Sequence, residues 1–233
     1  MKTSTKVGIA LVTILGLGYV LSRRPNPPYV PKTYTKTWQV AASFDDCEVY
    51  YYLGRWYQNL SYGLNRVGRA GANDVKYGGG MRFINFDIPM GGIVESSFLT
   101  VRCGLANSST NAPINSIIVG GTEDDPAAFS TIADYQARRG VDAGGANNDK
   151  RTIAEIPWPI TEAWVTDRDY VSPDITPIIR EMVNSPTRNP GGAVVLFWDD
   201  HRGTTLTPYA MRMPYSYNGQ PAGAARLTVT WRQ

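Results

Sequence analysis

The sequence predicts an all-β protein: a single jelly-roll-like antiparallel β-sandwich with one short helix, preceded by an N-terminal transmembrane helix. Three observations carry this. Only 18% of residues are charged, while 23 Gly and 16 Pro punctuate the chain, which suits short strands joined by tight turns. Aromatic residues reach 11%, with 14 Tyr and 6 Trp, and flat rings fit a pleated, half-buried surface. From Trp38 onward, apolar or alternating runs recur between turn signals. At 233 residues there is room for one large core, since sandwiches of this length often do not split.

Residues 7–21, VGIALVTILGLGYVL, carry no charge and are fenced by Lys6, Arg23 and Arg24. As a helix they reach about 22 Å at about 1.5 Å per residue, short of a hydrocarbon core of about 30 Å, so flanking cations must snorkel or the bilayer thin. A cleaved signal peptide has an apolar run of similar length. No small-x-small cleavage site follows here, and charge directly after the run opposes cleavage. The expectation is an uncleaved anchor over residues 1–22 that meets the lipid bilayer through residues 7–21. Lys2 and Lys6 face Arg23, Arg24, Lys32 and Lys36 across the span, a balance leaning toward a cytoplasmic C-terminal domain. Residues 23–37, containing PNPPYVPKTYTK, lack the backbone donors for a sheet interior and read as a semi-rigid stalk. Residues 38–233 form the sandwich domain.

Within that domain the expected strands are 38–43, 48–53, 80–87, 93–103, 115–120, 161–165, 193–199, 209–215 and 225–231. In the last, Leu227, Val229 and Trp231 share one face and Arg226, Thr228 and Thr230 the other, so one face is core and one is wet. Gly- and Asn-rich loops fall at 63–79 and 139–148. The helix lies within 172–184, where Ile175, Ile178, Ile179, Met182 and Val183 form an apolar stripe. Its N-cap is Ser172 before Pro173, or Thr176 before Pro177. Trp158 and Trp164 are expected in the core.

Three stretches together resemble secreted β-sandwich modules of the DNRLRE type and related carbohydrate-binding-like domains: residues 80–99, GMRFINFDIPMGGIVESSFL; 172–197, SPDITPIIREMVNSPTRNPGGAVVLF; and 216–230, SYNGQPAGAARLTVT. Phe83 aims into the core, Ile88, Pro89 and Gly91 make a turn, and Ile93 and Leu99 lie on the next strand. The resemblance implies a surface-displayed, non-enzymatic module and transfers no catalytic residue. An appended enzyme is missing and an anchor is added, which departs from that pattern.

Chemistry-bearing residues are sparse. A net charge of +3 without a basic stripe excludes nucleic acid as an expected partner. Cys47 and Cys103 have neither CxxC spacing nor nearby histidines; they either pair or stay buried thiols. His201, the single histidine, sits in WDDHRG without a GxSxG elbow or a second histidine, so no enzyme is expected. No cofactor is expected beyond calcium, which takes its oxygen ligands from acidic turns; Glu123, Asp124 and Asp125 are the candidate metal site, although EF-hand spacing is missing and Asp is also a common turn residue. Residues 50–62, YYYLGRWYQNLSY, hold more rings than one strand face can bury. Tyr51, Trp56, Tyr57 and Tyr62 are the candidate ligand-binding residues for a glycan or protein partner.

Two functions from different classes follow. One is a non-catalytic, membrane-anchored sandwich at the cell surface that binds a glycan or protein. The other is a structural jelly-roll protein of a virus or phage particle, located in the virion membrane and linking it to the capsid shell, with self-assembly. The lean toward a cytoplasmic domain favours the second.

Overall fold

The computed structural model describes residues 30–71, 74–107, 111–140 and 150–233. The apolar run 7–21, the stalk up to residue 29 and residues 141–148 of the second glycine-rich loop lie outside the described residues. Among those described, no helix is long and apolar enough to cross a membrane.

The chain forms β1 (Thr33–Gln39), β2 (Asp46–Tyr52), β3 (Arg55–Asn59), β4 (Val67–Ala70), β5 (Val75–Phe83), β6 (Ile93–Arg102), β7 (Ile117–Gly121), α1 (Ile132–Arg139), β8 (Arg151–Pro157), β9 (Asp169–Val171), α2 (Thr176–Val183), β10 (Val194–Asp199), β11 (Met211–Arg212) and β12 (Arg226–Arg232). The first sheet runs β1-β12-β6-β9, and the second is built on β5-β10-β7-β8. Lys76 and Tyr77 of β5 pair with β2 and with β4 at once, so these two occupy opposite edges of β5. Strand β3 lies beyond β2, and β11 pairs with β4. Every strand pairing is antiparallel.

The sheets pack as a sandwich over one apolar core. Trp38, Leu99, Val101, Leu227 and Val229 enter from the first sheet, and Met81, Phe83, Ile118, Leu196 and Trp198 from the second. Helix α2 adds Ile178, Ile179, Met182 and Val183 from its apolar stripe. The second sheet is covered on its other face too, where Cys47, Val49, Val119, Val195 and Phe197 meet Phe129 and Tyr135 of the α1 segment. All six residues of β10, VVLFWD, are therefore buried. A strand hidden on both faces reads as a continuous apolar run.

Three consecutive glycines let the neighbouring strands and the covering segment approach β5 this closely. A Cβ on Gly78 would stand 2.1 Å from Asp199 Cβ, one on Gly79 2.2 Å from the Cys47 carbonyl oxygen, and one on Gly80 2.3 Å from the Phe129 ring.

Several elements differ from expectation. Strand β1 starts at Thr33, inside the expected stalk, because the threonines of TYTKTWQ pair with β12. The expected loop 63–79 holds β4 and the start of β5. Residues 161–165 are not a strand. Trp164 is buried against Tyr170, with rings 4.2 Å apart, and the Asn111 amide satisfies its backbone N–H and C=O in place of a neighbouring strand. The strands on either side of this segment are β8, at the edge of the second sheet, and β9, at the edge of the first. Two α-helices rather than one form among the described residues of the expected sandwich domain: α1 has the low apolar content of IADYQARR, yet Thr131 caps it by accepting from the Asp134 N–H, and Gly140 ends it at φ 71°. Helix α2 starts near the second of its two expected caps, with Pro177 in its first turn. Trp158 and Trp164 are core residues, and both cysteines are buried free thiols.

Candidate functional site

The aromatic-rich segment is a hairpin. Leu53 and Gly54 both take positive φ, 47° and 78°, as the tight turn between β2 and β3 requires. The register sets Tyr50 opposite Tyr57 and Tyr51 opposite Trp56. Since side chains alternate across a strand, the rings divide between two faces. On one, Tyr50 stacks on Tyr57 at 5.0 Å and lies 5.5 Å from Tyr77. The Arg66 guanidinium lies 4.4 Å from the Tyr77 ring and 4.8 Å from the Tyr62 ring, held there by two 2.6 Å bonds to buried Glu48. On the opposite face Tyr51 meets Trp56 at 5.0 Å, and Trp56 stands perpendicular to His201 at 4.8 Å. The four expected ligand residues thus divide: Tyr57, stacked on Tyr50, and Tyr62, beside Arg66, are 38% and 41% exposed, while Tyr51 and Trp56 are half-buried and meet each other.

Beneath the second pair lies a sealed polar cluster. Arg139, at the end of α1, donates from Nε and Nη2 to the two carboxylate oxygens of Asp199 at 2.5 and 3.1 Å. The backbone N–H of His201 also reaches Asp199, and His201 Nε2 lies 3.0 Å from the Tyr135 hydroxyl. Burial lowers the His201 imidazole to about 4, against the opposing pull of Asp199. Burial also raises the Tyr135 phenol well above its ordinary value. Asp199 ends below the ordinary carboxylate range: burial raises it, but Arg139 and His201 outweigh that. Packing of the cluster against Trp56, Phe197 and Gly78 makes it a clamp between α1 and β10 rather than an open reactive site. Sequence reasoning missed Tyr135, Arg139 and Asp199 as a unit. The Arg139–Asp199 pair is 60 positions apart, and the helix that joins them carries a weak apolar signal.

A second set of buried acids lies on β2 and just before it. Asp45 pairs with Arg82 at 2.6 Å. Asp46 accepts from the Tyr217 N–H at 2.8 Å, yet burial still raises its carboxyl to about 7. Burial likewise pushes the Cys47 thiol up to about 12 and the Cys103 thiol to about 11, so neither is a reactive thiolate near neutral pH.

The candidate metal residues each serve a separate partner. Glu123 lies 3.3 Å from Arg138 and 3.9 Å from Lys150. Asp124 accepts from the Asn189 N–H at 2.6 Å, and Asp125 from the Ala193 N–H at 2.8 Å, fastening the turn before β10. Among the described residues no group of three or more His, Cys, Asp or Glu side chains is placed to hold a metal ion. Beside them opens a groove of about 390 Å³, lined by Glu123, Asp124, Met182, Pro186, Arg188 and Val194. Arg188 donates from Nη2 to the Phe86 carbonyl at 2.9 Å, which ties its guanidinium to the fold.

No family model and no curated protein matches the chain. Matching solved structures include empty-head turnip yellow mosaic virus, at 11% identity over 100% of this chain and 90% of that chain, with a TM-score of 0.27. Desmodium yellow mottle tymovirus matches at 7% identity over 100% and 96%, TM-score 0.25. A second structure of turnip yellow mosaic virus matches at 12% over 99% and 89%, TM-score 0.26. At such scores the likenesses carry no argument about fold or role.

Proposed function

We propose that this chain is a non-catalytic jelly-roll structural protein of a virus or phage particle, anchored in the particle's lipid membrane by residues 7–21 and joining that membrane to the shell. The observation that supports it is the strand order. Leaving aside the added strands β2, β3, β4 and β11, the remaining strands pair first with last (β1 with β12), second with second-last (β5 with β10), third with third-last (β6 with β9), and the innermost two with each other (β7 with β8). That nested order is one long hairpin rolled into two sheets, the jelly roll found in capsid and lectin domains and in cupins. The step from fold to role is fold-level analogy.

Two features favour assembly over ligand binding. The space between the sheets lined by Met81, Val101, Trp198 and Ala225 is only about 10 Å³, no larger than one water, so this part of the core holds no ligand-sized chamber. The candidate aromatic platform is divided between two faces of a hairpin. A surface-binding role, with the domain displayed on a cell, keeps one observation in its favour: exposed Tyr62 lies beside the Arg66 guanidinium and exposed Tyr57 is stacked on Tyr50, rings suited to stacking on a sugar and a cation suited to hydrogen-bonding its edge.

Reconstituting the full chain into lipid vesicles and imaging them by electron microscopy tests the proposal. Ordered protein arrays on the bilayer are expected. Dispersed monomers that bind glycans, with binding lost in Tyr57→Ala and Tyr62→Ala, would replace this reading with the surface-binding one.

A further inference from the structure

We infer that the free edge of β1 is a docking site for β1 of a second copy of this chain, joining two first sheets into one continuous sheet across a two-fold axis at Thr35. This deepens the structural reading above by naming the subunit's neighbour.

The edge is built for pairing. Lys32 and Gln233 exchange both backbone hydrogen bonds, at 2.9 and 3.0 Å, and Val40 donates to Ala225. In an antiparallel pair such bonds recur at every second residue, so residues 32, 34, 36, 38 and 40 face β12. Thr33, Thr35, Thr37 and Gln39 must then point their N–H and C=O groups away from it, where β1 has no other strand partner among the described residues. The three threonines are exposed. Two other sheet edges are blunted: Glu181 takes the backbone N–H groups of Ile153 and Ala154 on β8, at 2.7 and 2.9 Å, and β9 is three residues long. Strand β1 has seven residues and contains neither a proline nor a register shift. Its one charge, Lys36, is already neutralised by Asp87 at 2.6 Å.

The strand is also complementary to itself. A two-fold axis at Thr35 sets Thr35 opposite Thr35 and Thr33 opposite Thr37, satisfying every outward backbone group of these residues. Threonine then faces threonine across the new seam, as Thr35 faces Thr230 and Thr37 faces Thr228 within the chain. Tyr34 of each copy comes opposite Lys36 of the other, in the closer, non-hydrogen-bonded type of pair, placing a cation beside an aromatic ring. A register centred one pair further along would leave Thr33 unmatched and lose this pairing. An isologous contact of this kind closes a dimer.

The test uses the full chain in detergent. Thr35→Cys puts two thiols at Cα positions about 5.5 Å apart across the axis, inside the disulfide range. Thr37→Cys puts them about 14 Å apart, outside it. Mild oxidation should link most of the Thr35→Cys chain as a dimer and leave Thr37→Cys monomeric; Cys47 and Cys103 are buried. Adding Thr37→Pro to Thr35→Cys should weaken dimerisation by about tenfold or more, because two symmetry-related donors are lost while the bonds to β12 remain. Its melting curve checks that the fold survives. Equal linking at both positions, or a Thr35→Cys chain that stays monomeric at high concentration, would overturn the inference. A Thr35-linked dimer from a chain that forms no array on vesicles would uphold this pairing while removing the particle role.

Discussion

The two sheets meet opposite surroundings on their outward faces. On the first sheet, short polar side chains settle their own accounts: Thr35 bonds Thr230 at 2.9 Å, Thr37 bonds Thr228 at 2.8 Å, and Asp169 sits between Arg102 and Arg226 at 2.8 and 2.5 Å. On the second sheet the outward face is as apolar as a core, and its polar groups are locked under α1 in the Arg139–Asp199 pair, whose side chains are 1% and 0% exposed. A bare face leaves a sheet free to dock or extend. A covered face fixes it as the rigid wall of the sandwich.

The largest expected effect comes from breaking the clamp under α1. Arg139→Met strands the Asp199 carboxylate in an apolar layer and should lower stability by about 3–5 kcal/mol, read as a shift in urea midpoint. Arg139→Met together with Asp199→Leu should recover more than half of that loss, because a buried ion pair is replaceable by apolar groups of similar size. A double variant as unstable as the single would show that the pair contributes far more than charge balance.

The two faces of the second sheet also respond to pH in opposite directions. His201, on the covered outward side, ionises near 4 when folded against an ordinary 6.5, so the unfolded chain takes the proton first. Stability then falls as pH drops from about 6.5 to about 4, by roughly 3 kcal/mol. Asp46, on the inner side, keeps its proton to about 7 when folded and releases it near 3.8 when unfolded. Its contribution is present at low pH and is lost as pH rises through that window, by roughly 4 kcal/mol. The two slopes oppose each other between about pH 4 and 6.5, so the parent chain should have a shallower profile there than either single variant. His201→Gln should leave stability falling with rising pH, and Asp46→Asn should leave it rising. Urea titrations across this range check both, and two flat variants would remove the assignment of these slopes.

The same contrast governs what the sequence made legible. Strand β12 alternates between core and threonines because one of its faces is wet, and β6 and β10 were placed to within a residue or two. Residues 161–165 misled because Trp164 is apolar for reasons of burial while a side-chain amide takes its backbone bonds, which no periodicity reports. Helix α1 was missed because it covers the sheet with few apolar residues, and the cluster it completes depends on contacts far apart in sequence. The alternation of Tyr50, Tyr51 and Tyr52 was readable, but only the hairpin register shows that Tyr50 meets Tyr57 and Tyr77 while Tyr51 meets Trp56, the ring set against His201.

Close covering also sets what the glycines tolerate. Gly80→Ala drives a methyl into the Phe129 ring and should cost about 1–3 kcal/mol. Gly121, on the same sheet, meets Phe197 and Val195 only at ordinary contact distances of 3.6 and 3.7 Å, so Gly121→Ala should change stability by no more than about 1 kcal/mol. Thermal melts of the two variants measure how tightly the α1 segment presses on β5. Equal losses would mean that the covering is no closer over Phe129 than elsewhere.

The smallest expected effect lies on the bare face. A double-mutant cycle of Thr37→Val and Thr228→Val isolates the hydroxyl pair between β1 and β12, and its coupling energy should be about 0.2–1 kcal/mol, as for other cross-strand polar pairs in contact with water. The single variants should hardly change the melting temperature, since each exchanges a solvated hydroxyl for a methyl on a strand that favours β-branched residues. The value of the cycle is its dependence on assembly. In a dilute monomer the coupling stays small, because water replaces whatever either hydroxyl loses. Wherever another protein covers this face, water is excluded, an unmatched hydroxyl has nowhere to turn, and the same pair should couple more strongly at high protein concentration than at low.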